Sequence, residues 1–310
     1  MSEKLSLVVP VYFEEDCVNQ FLDETIPVLT AIEMDWEIVF VDDGSTDDTV
    51  ALLKRRATSE NRIKIVELSY NQGKQVAVSA GIAKSSGDYV LYMDPDLQDP
   101  PIEIPAFLSE IKKGHDLVFG VRKEKKDSLI NRFYSMIFWG VLRKFTGLHI
   151  PKNLAVMRIF NRKFADKFLE YKEQNRFIEG IFMHVGMNRS QIVIPQRERF
   201  AGKTKFNFKA KMQLAFDAIF DFSQLPLKAA VKFGAVLSFI GFLSLVTILI
   251  LKLFVVDFAA GWSSIIGTIV FSLGIQLVFI GVAALYIGRI YKESKGRPLY
   301  SIKNLTNLDK

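Results

Sequence analysis

Along the first 120 residues, short apolar runs alternate with segments whose apolar positions recur every three or four residues. The runs at 5–10, 37–41, 63–68 and 89–93 are rich in β-branched and aromatic residues and read as buried strands. The segments at 15–34, 47–59, 74–84 and 102–113 read as amphipathic helices. Strand and helix in alternation predict an α/β fold with a Rossmann-like, mostly parallel sheet. At 128–148 and again at 208–222 the pattern changes: large apolar residues mix with Arg and Lys, the composition of helices lying in a head-group layer. Two ordinary amphipathic helices packed on the core are the plainer alternative. Finally, 231–256 and 264–288 are predominantly apolar. At ~1.5 Å per residue each reaches roughly 37 to 39 Å, more than the ~30 Å hydrocarbon core. They predict a two-helix transmembrane hairpin behind a globular domain at 1–228, with a short tail at 291–310.

Composition narrows the class. The chain is 49% hydrophobic with a mean hydropathy of +0.18, too apolar for a disordered protein and too charged for a multi-span transporter. Inside the spans the polar residues are few, chiefly Gln276 and the end-located Lys252, so the hairpin reads as an anchor and not a channel. Gly267, Gly274 and Gly281 share one helix face and offer a contact for a homo-oligomer. Charge is segregated: residues 1–121 carry 10 Lys or Arg against 22 Asp or Glu, and the remainder carry 30 against 12. The basic half also holds the apolar spans, which suits the lipid bilayer and anionic lipid phosphates as partners. Cys17 is the single cysteine and reads as a small buried hydrophobe in a reducing compartment. The first residues lack the continuous apolar run of a signal peptide. Lys228 precedes the first span and Lys232 sits in its first turn, while Arg289, Lys292, Lys295 and Arg297 follow the second. The positive-inside rule therefore places both ends, and the globular domain, in the cytosol at the inner membrane.

The residues just past each strand carry the chemistry. Tyr12 and Glu14 come after the first, Asp42 and Asp43 after the second, Asn71 and Lys74 after the third, Asp94 and Asp96 after the fourth. Open α/β sheets bind ligands outside the carboxyl ends of their strands, so these groups converge on one crevice. In Asp94-Pro95-Asp96 one carboxylate can hold a divalent cation while the other meets a ribose or sugar hydroxyl, with Gln98 as a further oxygen donor. In VDDGSTDDT, Gly44 permits a tight turn and Ser45 with Asp48 reads as a capping box. Asp42 or Asp43 can accept hydrogen bonds from a base or ribose. His115, His149 and His184 lack metal-ligand spacing and read as structural, and the acidic rim disfavours nucleic acid. Between Arg122 and Lys144 seven bases face two acids, which nominates Arg122, Arg132 and Ser135 for a lipid phosphate.

The stretches VVPVYFEED, VDDGSTDDT, NQGKQVAVSAGIAKSSGDYVLYMDPDLQDPP, FAGKTKF and YIGRIYKESKGRPLY together resemble family 2 glycosyltransferases of the GT-A fold. The resemblance spans nearly the whole chain. It is closest to the polyprenyl-phosphate branch that includes dolichyl-phosphate mannose synthase, and within it to bactoprenol glucosyltransferases of O-antigen glucosylation. It implies that Pro10, Tyr12 and Glu14 line a nucleotide pocket, that Asp42 binds uracil or ribose, and that Asp94 contacts the donor. Asp96 and Gln98 would hold Mg²⁺ or Mn²⁺, and Arg199 with Lys205 would neutralise the departing diphosphate. The implied reaction moves a hexose, glucose from a UDP-sugar donor, onto undecaprenyl phosphate. A mannose or aminoarabinose transferase, or an inactive nucleotide-sugar-binding scaffold, is the alternative. One departure stands out: relatives place an acid within 152–158, where this chain reads KNLAVMR. A phosphate acceptor, with a second pKa of about 6, is already ionised and needs little help from a base.

Overall fold

The computed structural model describes residues 3–122, 153–198, 200, 225–254 and 261–308. The interface helices expected at 128–148 and 208–222 lie outside the described residues, as do Arg132, Ser135, Arg199 and Lys205.

The strands are β1 (Lys4–Val11), β2 (Asp35–Asp42), β3 (Ile63–Leu68), β4 (Tyr89–Tyr92), β5 (Leu117–Arg122), β6 (Leu154–Asn161), β7 (Arg189–Ile194) and β8 (Ile302–Thr306). The helices are α1 (Glu15–Ala31), α2 (Thr49–Ser59), α3 (Lys74–Lys84), α4 (Ile104–Ile111), α5 (Arg162–Glu170), α6 (Ile178–His184), α7 (Leu225–Phe254) and α8 (Trp262–Ser294). One sheet runs in the order β7-β5-β6-β4-β1-β2-β3-β8. Its centre, β4-β1-β2-β3, is parallel as the alternating pattern predicts. On the flanks β6 runs antiparallel to both β4 and β5, and β8 antiparallel to β3, while β7 pairs parallel with β5, so the sheet is mixed but mostly parallel.

Burial explains the continuous apolar runs. Leu5 to Val9 on β1 and Ile38 to Val41 on β2 are covered on both faces, apart from a single buried serine, Ser6, which has its own partner. Phe21 and Leu22 of α1 pack on one face with Phe40, whose ring meets Phe21 edge-on at 6.0 Å. Phe160, Phe164, Phe168 and Phe182 form an aromatic cluster between β6, α5 and α6. At the amino end of the sheet, fully buried Glu37 accepts from Ser6 Oγ (2.5 Å) and the Ser86 N–H (2.7 Å) and pairs with Lys4 (2.8 Å) and Lys64 (2.5 Å).

Several boundaries shift from the sequence expectation. Helix α1 ends at Ala31 because β2 already begins at Asp35. Pro100 and Pro101 delay α4, which follows a 3-10 turn at Pro101–Glu103 and starts at Ile104. The tail at 291–310 contains a strand: Ile302–Thr306 pairs with β3, matching Val66 to Leu305 and Glu67 to Asn304.

The chain divides into two compact units, Met1–Ala215 with Pro298–Lys310, and Phe216–Arg297. The second holds α7 and α8, each long and apolar enough to cross a membrane over Leu227–Ser244 and Phe271–Ser294. Large apolar side chains on both, including Phe233, Phe242, Phe271 and Leu277, are exposed around the helix circumference. The two helices touch where the Phe233 and Phe279 rings lie 6.3 Å apart, beside Gly234. Gly274 and Gly281 face nothing within 4 Å among the described residues.

Candidate active site

The carboxyl ends of β1 to β4 form an acidic rim whose loops are stapled by the acids themselves. Asp42 ends β2, and its carboxylate accepts the Gly44 N–H at 3.2 Å and the Ser45 N–H at 3.1 Å. Gly44 has a φ of +81°, and a Cβ there would come within 2.8 Å of the Asn71 nitrogen, so no other residue fits this turn unstrained. Asp43 reaches the other way: Oδ1 accepts the Gln72 N–H (2.7 Å) and Oδ2 the Gly73 N–H (2.9 Å). Burial raises the pKa of both carboxyls, opposed by these hydrogen bonds. Any contact of Asp42 or Asp43 with a ligand therefore uses the lone pairs left over. Ser45 does not cap α2; its Oγ accepts the Phe13 N–H at 3.0 Å, and Thr49 Oγ1 accepts the Glu14 N–H at 2.9 Å. The turn after β2 thereby fixes the 12–14 segment, where Tyr12 packs against Phe13 at 4.2 Å. Pro10 is buried within β1.

Asp94 stands at the end of β4. Its Oδ2 accepts from Lys74 Nζ at 2.6 Å, while Oδ1 is buried with no hydrogen-bond partner among the described residues. The Lys74 side chain is about half exposed, and Asp94 and Tyr92 beside it hold its ammonium above the ordinary lysine range. Asp96, 8% exposed, accepts the Gln98 N–H on Oδ1 at 3.1 Å. Just past it, Leu97 takes a left-handed φ of +59°, which turns the loop tightly enough to keep both carboxylates at the rim. A second segment zips onto this loop: the Arg197 N–H donates to the Gln98 carbonyl (2.9 Å) and the Phe200 N–H to the Asp96 carbonyl (3.2 Å). Arg199 lies between these two anchored positions in sequence.

The third carboxylate of DPDLQDP, Asp99, has a role not legible from spacing. It is buried, with Oδ1 on Arg122 Nη2 at 2.7 Å and Oδ2 accepting the Val156 and Met157 N–H groups at 3.0 Å each. Arg122, nominated for an acceptor phosphate, is thus held by Asp99. No acid occurs within 152–158, but a carboxylate does lie against that stretch, engaged by a cation and two amides.

Residues 6–169 match the family model described as glycosyl transferase family 2. The chain belongs to that family. It is 34% identical over 302 residues to a bactoprenol glucosyl transferase of Shigella phage SfV, covering 97% of this chain and 98% of the relative. It is 30% identical over 313 residues to an undecaprenyl-phosphate 4-deoxy-4-formamido-L-arabinose transferase of Proteus mirabilis, covering 99% and 95%. These relatives fit the polyprenyl-phosphate branch. Among solved structures, glucosyl-3-phosphoglycerate synthase from Mycobacterium tuberculosis, in complex with Mn²⁺, UDP and glucosyl-3-phosphoglycerate, aligns at a TM-score of 0.50 and 17% identity. That alignment covers 70% of this chain and 78% of the synthase, and it establishes the GT-A-like fold.

In this family 2 glycosyltransferase a buried charge lies beneath the rim. Arg158 on β6, 2% exposed, is surrounded by the rings of Tyr92 (5.4 Å), Phe119 (5.8 Å) and Phe182 (5.2 Å) and pairs with Glu179 at 3.6 Å. Burial raises the Tyr92 phenol, keeping it neutral. The only sequence signal for this cluster is a lone Arg inside the apolar run LAVMRIF. Cys17 is buried, and burial with nearby Glu14 pushes its thiol up to about 11, which suits an inert core position. His115 lies 3.5 Å from Glu110, and His184 packs edge-on against Tyr171.

Proposed function

We propose that this glycosyltransferase moves a hexose, glucose from UDP-glucose, onto undecaprenyl phosphate at the cytoplasmic face of the inner membrane. The observation that carries the reading is Asp94: a buried carboxylate oxygen with no partner among the described residues, at a strand end beside Asp96 and next to a lysine. An orphaned buried acceptor costs stability unless a ligand completes it. A sugar or ribose hydroxyl is the donor that a nucleotide sugar would bring.

The residues present also fit a divalent cation. Among the described residues no group of three or more His, Cys, Asp or Glu forms a metal cage. Mg²⁺ and Mn²⁺ in nucleotide enzymes use one or two carboxylates and take their other ligands from phosphates and water. Asp96, with Gln98, would hold such an ion, which when bound offsets the charge of the diphosphate. This chain's residues do the rest. Asp94 and Lys74 orient the sugar, and Arg199 and Lys205 meet the charge growing on the leaving group. An oxygen of the lipid phosphate attacks the anomeric carbon, the bond from that carbon to the diphosphate oxygen breaks, and UDP departs with configuration inverted. The acceptor needs no side-chain base, because its phosphate carries the charge already. Arg122, Arg132 and Ser135 would receive that phosphate.

Helices α7 and α8 would cross the membrane as a hairpin. Segments on both sides of them, before Ala215 and after Pro298, belong to one folded unit, so an even number of crossings returns the chain to its starting side. The names of the phage and Proteus relatives support a polyprenyl-phosphate acceptor and leave glucose and formamido-arabinose as competing sugars.

A donor screen decides the matter: labelled UDP-glucose, UDP-galactose, UDP-N-acetylglucosamine, GDP-mannose and UDP-aminoarabinose derivatives against undecaprenyl phosphate in membranes, with and without EDTA. Label entering the organic phase from UDP-glucose, and only with metal, is the expected result. No labelled lipid from any donor would favour the scaffold reading.

A further inference from the structure

Ser301, immediately before β8, stands against the loop that leaves β3. Its carbonyl accepts the Ser69 N–H at 2.9 Å and Gln72 Nε2 at 3.4 Å, and the Ser69 and Ser301 hydroxyls meet at 3.1 Å. Gln72 is the residue whose N–H is held by Asp43, and Lys74, two residues on, holds Asp94. The loop at 69–73 is therefore gripped from two sides, by Asp43 at the rim and by the tail behind it. From this we infer that the C-terminal tail, 298–306, is a positioning element for the donor loop. It sets the affinity for the sugar nucleotide without touching it. The inference rests on the proposed donor site.

Beyond these bonds and the close approach of the Gly44 turn to Tyr70 and Asn71, the loop is lightly held among the described residues. Ser69, Tyr70 and Asn71 are exposed, Gly73 takes a φ of +95°, and segments with few buried apolar contacts open locally at low cost. A ligand that binds an unordered loop must bear the cost of ordering it. The tail, by contrast, is well anchored. Strand β8 pairs with β3, and Asn307, in a left-handed turn at φ +56°, donates its amide to the Ala57 and Ile63 carbonyls at 3.0 and 2.9 Å. Tyr300, half-buried, lies within electrostatic reach of Arg176 in the loop before α6. Gln75, on the first turn of α3, accepts the Ile178 N–H at 2.7 Å and ties that loop to the same corner. The tail thus links the start of α3, the β3 edge and the α5–α6 loop.

The test uses the full chain in nanodiscs and three changes: truncation after Arg297, Gln72→Ala, and the pair Ser69→Ala with Ser301→Ala. Hydrogen exchange at 69–73 reads loop order directly, and calorimetry with UDP-glucose plus Mn²⁺ reads donor affinity. Truncation should speed exchange at the loop and weaken donor binding about tenfold. KM for the donor should rise with it, while KM for undecaprenyl phosphate stays constant. Each side-chain variant should weaken donor binding about threefold, the scale of one hydrogen bond. A synthetic 298–310 peptide added to the truncated protein should restore both readouts. Unchanged loop exchange and donor affinity in the side-chain variants would overturn the inference, even if the truncated protein fails to fold. If the intact protein binds no sugar nucleotide, the functional proposal fails, and the exchange measurement alone decides the tail's role.

Discussion

Lys74 and Asp94 meet at 2.6 Å across the mouth of the sheet, and the other Asp94 oxygen is buried with no hydrogen-bond partner among the described residues. Lys74 opens α3 and Asp94 follows β4 by two residues, so the pair joins two loops separated in sequence by α3 and β4. The pair orients a carboxylate that would otherwise be free to swing into solvent. Asp94→Asn keeps the shape and removes the charge; kcat/KM for the donor should fall about 10²-fold. Lys74→Met should raise the donor KM about tenfold with the acceptor KM unchanged. Steady-state assays with the donor identified by the screen check both values.

Metal dependence should follow the substrate and not the fold. Because Asp96 and Gln98 would hold a cation only together with a diphosphate, EDTA should abolish turnover and leave the melting temperature of the ligand-free protein unchanged. Adding UDP with Mn²⁺ should raise the melting temperature, and Asp96→Ala should erase that rise without affecting membrane insertion. Differential scanning fluorimetry in detergent separates these outcomes.

Asp99 should behave as a structural acid. Asp99→Asn leaves Arg122 without its partner and weakens the hold on the Val156 and Met157 amides. Removing one member of a buried pair typically costs ~3 kcal/mol, so chemical denaturation should show a loss of that order. Arg122→Met should destabilise by a similar amount. On the proposed function Arg122 also receives the lipid phosphate, so its variant alone should raise the acceptor KM.

Glu37 should govern acid stability. Burial disfavours its charge, but Lys4, Lys64, Ser6 and the Ser86 amide outweigh that effect and lower its pKa to about 2, from 4.5. A carboxyl depressed on folding stabilises the native state above its unfolded pKa. That contribution is lost as pH falls from about 4.5 towards 2. A shift of this size corresponds to ~3 kcal/mol at neutral pH. Glu37→Gln should therefore be markedly less stable at pH 7, and its stability should vary less between pH 5 and 3 than that of the parent. Urea titrations across that range test it.

The centre of the fold was legible from the sequence and the edges were not. Helix α3 and strand β3 begin and end where the pattern placed them, because Gly73 and the polar 69–72 loop punctuate a clear change of period. Strand β8 carries no clear sequence signal because IKNLT is short, half polar and pairs with a strand more than 200 residues earlier. The site was legible as a set of strand-end acids, but not in its division of labour. Doubled Asp42-Asp43 looks like one binding element, yet the two carboxylates staple different loops, since neighbouring side chains at a strand end point to opposite faces. Asp99 and Arg158 were hidden for a related reason: partners such as Val156 and Glu179 come from elements whose approach no local spacing encodes.

The position of β8 in chain order has a biosynthetic consequence. The ribosome makes Ile302–Thr306 only after both long apolar helices, so β3 remains an open edge throughout their synthesis. An unpaired strand of this kind invites pairing with other nascent chains. The enzyme's sheet is sealed last, and a chain released before Ile302–Thr306 is made would keep its β3 edge open.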